Sequence, residues 1–152
     1  MQETHQRVFW EKVLAKYGRD PASECYEVFS FDDNQSDADA LAEMVLLGQK
    51  HATAGLYWLN EHEGHAIPKA GDLSLLTRFD GTPVAVIETR EVIVCPFIAV
   101  GAEFAAAEGE GDLSLAHWRK IHWDFFSRVC SSIKRQPTLQ MPVICEHFTT
   151  MT

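Results

Sequence analysis

Lys50 and Thr53 are the residues of this 152-residue chain whose types and spacing could do chemistry together. They sit in Gly48-Gln49-Lys50-His51-Ala52-Thr53, after an amphipathic run, residues 37–47, that reads as a helix. An apolar run, residues 54–59, follows and reads as a strand. Gly48 is placed to stop the helix, because glycine enters the left-handed conformation without a Cβ clash. In a straight strand, positions three apart face opposite ways; in a turn or a last helical turn they share a side. A shared side brings an ammonium and a hydroxyl to one ligand. A lysine stripped of part of its hydration loses proton affinity and becomes a base at neutral pH, and a threonine hydroxyl beside it can attack a carbonyl. The ordinary use of a lysine, solubility at a surface, is the alternative.

The second candidate is Glu108-Gly109-Glu110-Gly111-Asp112-x-Ser114. Its glycines let backbone approach a ligand closely and leave N–H groups free at a helix start, a geometry that suits an oxyanion or a phosphate. Glu110 could supply a proton to a leaving nitrogen. In the alternative reading, Asp112 and Ser114 merely cap the next helix.

Metal chemistry finds less support. His62-Glu63-Gly64-His65 lacks the i, i+4 histidine spacing of a metal helix and has no third ligand nearby. Cys25, Cys95, Cys130 and Cys145 include no C-x-x-C pair and read as buried reduced thiols. His117 and His122 diverge on a helix, leaving His122 as a single ligand-facing residue or a satisfied helix histidine. No metal and no cofactor are expected.

Composition bounds the partners. With 46% hydrophobic and 11% aromatic residues the chain can bury a real core, and no run of apolar residues is long enough to span a bilayer. The mixed-polarity N-terminus does not read as a signal peptide, so a cytoplasmic location is expected. A net charge of −9 disfavours indiscriminate binding to a nucleic-acid backbone. The charge is uneven: residues 20–49 hold eight acids and no Lys or Arg, whereas residues 117–135 hold five bases against one acid, Asp124. That basic stretch is either a local positive face or a solvated helix side.

The elements that must position these groups follow from periodicity. Residues 4–17 predict a helix on Val8, Phe9, Val13, Leu14 and Tyr17, and residues 26–31 a short extended piece. Ser36 or Asp37 can cap the second helix, with Leu41, Met44 and Val45 inward. A strand over 55–59, a polar loop over 60–71 and a strand over 72–79 come next. Asp80-Gly81 predicts a hairpin into strands at 83–88 and 91–97. An alanine-rich helix is expected over 99–107. Ser114 can cap a long helix over 115–133, its core side Trp118, Ile121, Phe125, Phe126 and Val129, and a last strand spans 141–148. The sum is an α+β domain around a small barrel or strongly twisted sheet.

Taken in order, the motifs resemble the ASCH domain family, whose fold is similar to the PUA RNA-binding domain. The likeness rests on Gly48-x-Lys50-x-x-Thr53, Gly71-Asp72, Glu88-x-x-Glu91-Val92-x-Val94-x-Pro96-Phe97, and the Glu108–Ser114 loop. That loop runs on into Leu115-x-x-Trp118-Arg119-x-x-His122-x-x-Phe125-Phe126, as in a longer bacterial subgroup. The resemblance covers residues 37–148. It implies a PUA-like β-barrel with flanking helices, one domain over 1–152 with an N-terminal helical extension over 1–35, and a cleft where the Lys50 corner faces the Glu110 loop. One branch of the family removes an acyl group from the exocyclic amine of acetylated cytidine. There the motif lysine is the proton acceptor, the threonine the nucleophile and a later glutamate the proton donor, which implies Lys50, Thr53 and Glu110 here, with Glu108 the competing acid. Tyr57, Trp58, Ser114, Trp118, Arg119 and His122 are the candidates for holding substrate, the aromatic ones by stacking on a base. Other members are metal-independent ribonucleases or only bind RNA, so the expected partner is a nucleoside-sized molecule or RNA. His51 stands where many relatives carry Thr.

Overall fold

In a computed structural model, which describes Met1 and residues 4–152, a five-stranded sheet carries five α-helices. Helix α1 (Thr4–Lys16) leads to strand β1 (Val28–Phe29), helix α2 (Gln35–Leu46), strand β2 (Ala52–Leu56) and helix α3 (Tyr57–Glu63). Strands β3 (Leu73–Thr77) and β4 (Pro83–Pro96), helices α4 (Ala102–Glu108) and α5 (Leu115–Ser132), and strand β5 (Pro142–Met151) complete the chain.

The sheet order is β1-β3-β4-β5-β2, with β1 parallel to β3 and every other pair antiparallel. The expected barrel is therefore corrected to an open sheet: β1 and β2 are its two edges. Strand β1 is only two residues long and is spent on pairing with Leu75 and Leu76. The chain then leaves the sheet for α2, so no ladder closes the gap.

Three apolar clusters hold the layers together. Trp10, Val13 and Leu14 of α1 pack on Leu73, Leu75, Val86 and Met151. Ala42 and Val45 of α2 pack with Phe31, Leu76, Ala85, Ile87 and Phe148. Trp118, Phe126 and Cys130 of α5 and Phe104 of α4 cover the β2–β5 end. Both faces of β3 are thus covered, which is why its residues Leu73–Thr77 are all buried.

Several local expectations are revised. The cap of α2 is Asn34, whose extended backbone lets Oδ1 accept from the Asp37 amide at 2.9 Å. The buried face of α2 is Ala38, Ala42 and Val45; small side chains let this helix lie close to the sheet. On α1, Gln6 and Trp10 are buried while Val8 is exposed, as is Tyr17 just past its end. Strand β2 begins at Ala52 and its pairing with β5 ends at Leu56, after which the chain turns into α3. Residues 57–59 are therefore helical, and α3 ends at Gly64 with φ 66°. A short apolar run cannot by itself separate buried strand from helix. The segments at 83–88 and 91–97 are one strand, interrupted at Arg90 by a bulge.

The predicted long helix has its Ser114 cap, the hydroxyl accepting from the His117 amide at 3.1 Å. All four cysteines are free thiols; Cys130 and Cys145 are buried, while Cys25 and Cys95 are partly exposed. No helix among the described residues is long and apolar enough to cross a membrane.

Candidate functional site

Gly48 ends α2 with φ 76°, and the chain doubles back so that the Gln49 and Lys50 amides both reach the Met44 carbonyl. Opposite this corner, Gly109 ends α4 with φ 75°. A Cβ on Gly109 would lie 2.2 Å from the Gln49 carbonyl oxygen, so only glycine allows the two turns to touch. The His51 amide donates to the Ala107 carbonyl at 3.1 Å and fastens them. These contacts bring Lys50 to the acids at and just beyond the end of α4.

Lys50 is buried, 2% exposed. Its Nζ donates to the Ala52 carbonyl at 2.9 Å and to the Glu108 carbonyl at 3.4 Å, and lies 5.1 Å from the centre of the Phe31 ring. The carboxylates of Glu110 and Glu108 stand 3.6 and 4.0 Å away. Glu108 is 1% exposed and takes two further donors through Oε2, Trp118 Nε1 and His122 Nε2, each at 2.8 Å. His122 is fixed on its other side by the Trp118 carbonyl, 2.9 Å from Nδ1, and its ring stacks on Trp118 at 4.2 Å.

The electrostatics separate the two acids. Burial alone would raise the Glu108 carboxyl, but Lys50 and the hydrogen bond from His122 outweigh it and hold it at about 2. Burial lifts Glu110 above the usual carboxylate range, against Lys50 and helped by the Glu108 charge. Burial also works against a charged His122, yet Glu108 and Glu110 raise it. Glu108 is the fixed anion, His122 its partner, and Glu110 the carboxyl that can carry a proton.

Lys50, Thr53, Glu108, Glu110 and His122 line one cavity of about 60 Å³, walled by Phe31, Asp32, Leu41, Ala54, Ile121 and Phe125. Lys50, Thr53 and Glu110 therefore line the same cavity. Of the expected substrate contacts, His122 lines this cavity and the others lie elsewhere. Trp118 is buried in the core and is covered by His122, which leaves no face for a base. Arg119 lines a separate groove with Phe97, Trp123 and Leu139. Tyr57 and Ser114 line neither the cavity nor its neighbour described below, and Trp58 lies under the Arg135 guanidinium at 4.5 Å. The loop amides are also used internally: Gly109 bonds Ala106, Leu113 bonds Glu110 and Ser114 bonds Asp112. These three amides are therefore not free to hold an oxyanion.

Glu108, Glu110 and His122 present three ligand atoms within 4.8 Å of one another, a set of suitable type for a metal ion. Lys50 answers the same carboxylates with its own charge and would be repelled by a cation there. The donor set therefore fits an internal ion network better than a metal centre.

Sequence reasoning had weighed Glu108 only as a rival acid and missed its role as anchor. The signal was the i, i+4 spacing of Trp118 and His122, which puts two N–H donors on one helix side. Phe31 and Asp32, distant in sequence, carried no such signal.

An open α+β sheet with a buried lysine–carboxylate–histidine cluster at its edge defines the class of protein. The ASCH domain family model matches residues 27–152, and the chain belongs to that family. It is similar to the crystal structure of an ASCH domain from Lactobacillus crispatus JV V101 (TM-score 0.88, 30% identity, covering 99% of this chain and 96% of that one). It is also similar to a protein from Enterococcus faecalis V583 described under the family model DUF984 (TM-score 0.86, 27% identity, 97% and 89% covered). A comparison with curated proteins gave no match.

Proposed function

We propose that the protein is an amidohydrolase that removes an acyl group from the exocyclic amine of an acylated cytidine. One observation carries the reading: Lys50, Thr53 and Glu110 share a cavity in which the ammonium and the protonatable carboxyl are 3.6 Å apart. A proton moved within that pair leaves a neutral amine at Lys50 and a carboxylic acid at Glu110. The amine takes the Thr53 proton as Oγ1 bonds to the acyl carbon and the carbonyl electrons move onto oxygen. The Lys50 ammonium so formed faces the oxyanion. As the C–N bond breaks, Glu110 gives its proton to the leaving nitrogen. Water then attacks the threonyl ester, its proton going to Glu110, while Lys50 returns a proton to Thr53. Glu108 stays ionised throughout and, steadied by His122, holds Lys50 in place.

The family is also consistent with RNA binding. Two bases of the α5 stretch are already answered by acids, Arg128 by Asp32 and Asp33 and Arg135 by Glu61, which weakens a phosphate-binding face there. Incubation with N4-acetylcytidine, following cytidine by chromatography, tests the proposal. Turnover by the wild type and its loss in Thr53→Ala are expected. No cytidine across pH 6–9, together with RNA binding that weakens steeply with salt, would replace it with the RNA reading.

A further inference from the structure

A second cavity of about 310 Å³ opens from the first. Phe31, Asp32, Thr53, Ala54 and Phe125 line both, so the two are chambers of one cleft with the Thr53 hydroxyl at their junction. This inner chamber is lined from all five strands, by Phe29 of β1, Thr53 of β2, Ser74 of β3, Ile87 of β4 and Glu146 of β5 among others. Its size falls within the range of small-molecule sites, about 300–1,000 Å³. A reading built only on Lys50, Thr53 and Glu110 gives it no occupant.

Its lining is polar in one sense only. Glu27, Asp32, Glu63 and Glu146 face it, with His65 the one residue able to carry positive charge and no lysine or arginine among the described lining residues. Glu146 is the best placed. It sits directly across the β2–β5 ladder from Thr53, so both side chains rise from the same face of neighbouring strands, with Cβ atoms about 5 Å apart. Its Oε1 accepts from the Thr89 hydroxyl at 2.6 Å, which fixes the carboxylate and leaves Oε2 to accept from a ligand. Tyr26, Asn60 and Ser74 add hydroxyl and amide groups around it. A carboxylate beside a sugar accepts hydrogen bonds from its hydroxyls and repels phosphate.

We propose that the inner chamber holds the hydroxyl-bearing half of a phosphate-free nucleoside, and that Glu146 is the specificity-determining residue that accepts its hydroxyls. The inference rests on the proposed amidohydrolase reading for the base but not for the chamber. An acyl methyl has no use for the Glu146 carboxylate, whereas a ribose does. The same acids exclude nucleotides and an RNA strand from the cleft.

Titration calorimetry with cytosine, cytidine and cytidine 5′-monophosphate tests this without requiring turnover. Cytidine is expected to bind at least tenfold more tightly than either of the others. Glu146→Gln is expected to weaken cytidine about tenfold, with the loss confined to the sugar-bearing ligands, and to narrow the penalty on the monophosphate. Circular dichroism checks that this variant folds, and Ser74→Ala provides an independent, milder lesion in the same wall. Monophosphate binding as tight as cytidine overturns the proposal, as does an equal loss for cytosine and cytidine in Glu146→Gln or failure of all three ligands to bind. Cytidine bound as expected, with no hydrolysis of acetylcytidine, sinks the amidohydrolase reading and leaves the chamber standing.

Discussion

Glu108 in the outer chamber and Glu146 and Glu27 in the inner one are buried to opposite effect. In the outer one, Glu108 is almost wholly enclosed yet ionises more readily than a free carboxylic acid, because an ammonium, an imidazole and an indole N–H all point at it. In the inner one, Glu146 and Glu27 are less enclosed yet ionise less readily, since burial acts on each of them with too little opposing charge. Depth alone does not decide the state of a buried carboxyl; the sum of answering and like charges does, and Glu110, beside the Glu108 anion, is raised even with Lys50 at 3.6 Å. The outer chamber is thus finished as a network before any ligand arrives, and the inner chamber is left with acceptors to spare.

The strongest way to break this contrast is to remove the answering charge. Lys50→Met leaves Glu108 and Glu110 buried beside one histidine, and loss of one partner from a buried ion pair costs about 3–5 kcal/mol. Urea denaturation should show a loss of that size, with part of it recovered in Lys50→Met/Glu108→Gln. A single variant as stable as the wild type would mean that Lys50 does not hold the network.

Glu110→Gln separates chemistry from architecture. Glu110 is the partly accessible member, 21% exposed at its side chain, and its carboxyl is already raised by burial, so losing the charge should leave stability within about 0.5 kcal/mol. Turnover of acetylcytidine should nevertheless fall by about 10²–10⁴ for want of a proton donor. Stopped assays with the wild type in parallel measure the drop, and unchanged turnover would remove Glu110 from the reaction.

Much of this arrangement was legible in the chain, for reasons that differ between its parts. The Gly48 stop, the Asp80-Gly81 hairpin and the Ser114 cap were readable because each is set by a local backbone requirement. The grouping of Lys50, Thr53 and Glu110 came through resemblance, since nothing within residues 48–53 says which distant loop will face them. The contact that joins them, Gly109 against Gln49, is a property of two turns meeting and leaves only a glycine in the sequence. The substrate aromatics failed for the opposite reason. Trp118 has the right residue type, but its place on the inward side of α5 commits it to the core and to Glu108. Sheet closure failed because it depends on how far a two-residue edge strand extends, which alternation alone does not fix. Glu146 could not be picked out as a candidate because its neighbour across the ladder, Thr53, is assigned by register.

The Glu108–His122 pair gives a smaller, pH-dependent effect. His122 is raised in the folded protein, so its contribution is complete below its unfolded value, about 6.5, and is lost as pH rises through the folded one. Glu108 is lowered, so its contribution is complete above its unfolded value, about 4.3, and disappears as pH falls toward about 2. Both are in force between about pH 4.3 and 6.5. Thermal denaturation should show a decline on the alkaline side of that window that is absent from His122→Gln. The same decline in both proteins would assign it to another group.

The finest discrimination comes from making one substitution in each chamber. Glu108→Gln removes a charge that three donors require, and Glu146→Gln removes one that burial opposes. The first should destabilise at neutral pH. The second should stabilise by less than about 1 kcal/mol, since the amide keeps the shape and can still accept from Thr89. A carboxyl raised on folding costs stability as pH rises from its unfolded value through its folded one, so the gain in Glu146→Gln should vanish below about pH 4, where the acid is neutral in both states. Melting temperatures of the two variants at pH 4 and pH 8 are enough to read the signs. If both substitutions destabilise at pH 8, Glu146 has a cationic or hydrogen-bonding partner beyond Thr89 that makes the inner chamber as self-sufficient as the outer one, and a sugar hydroxyl has no acceptor waiting there.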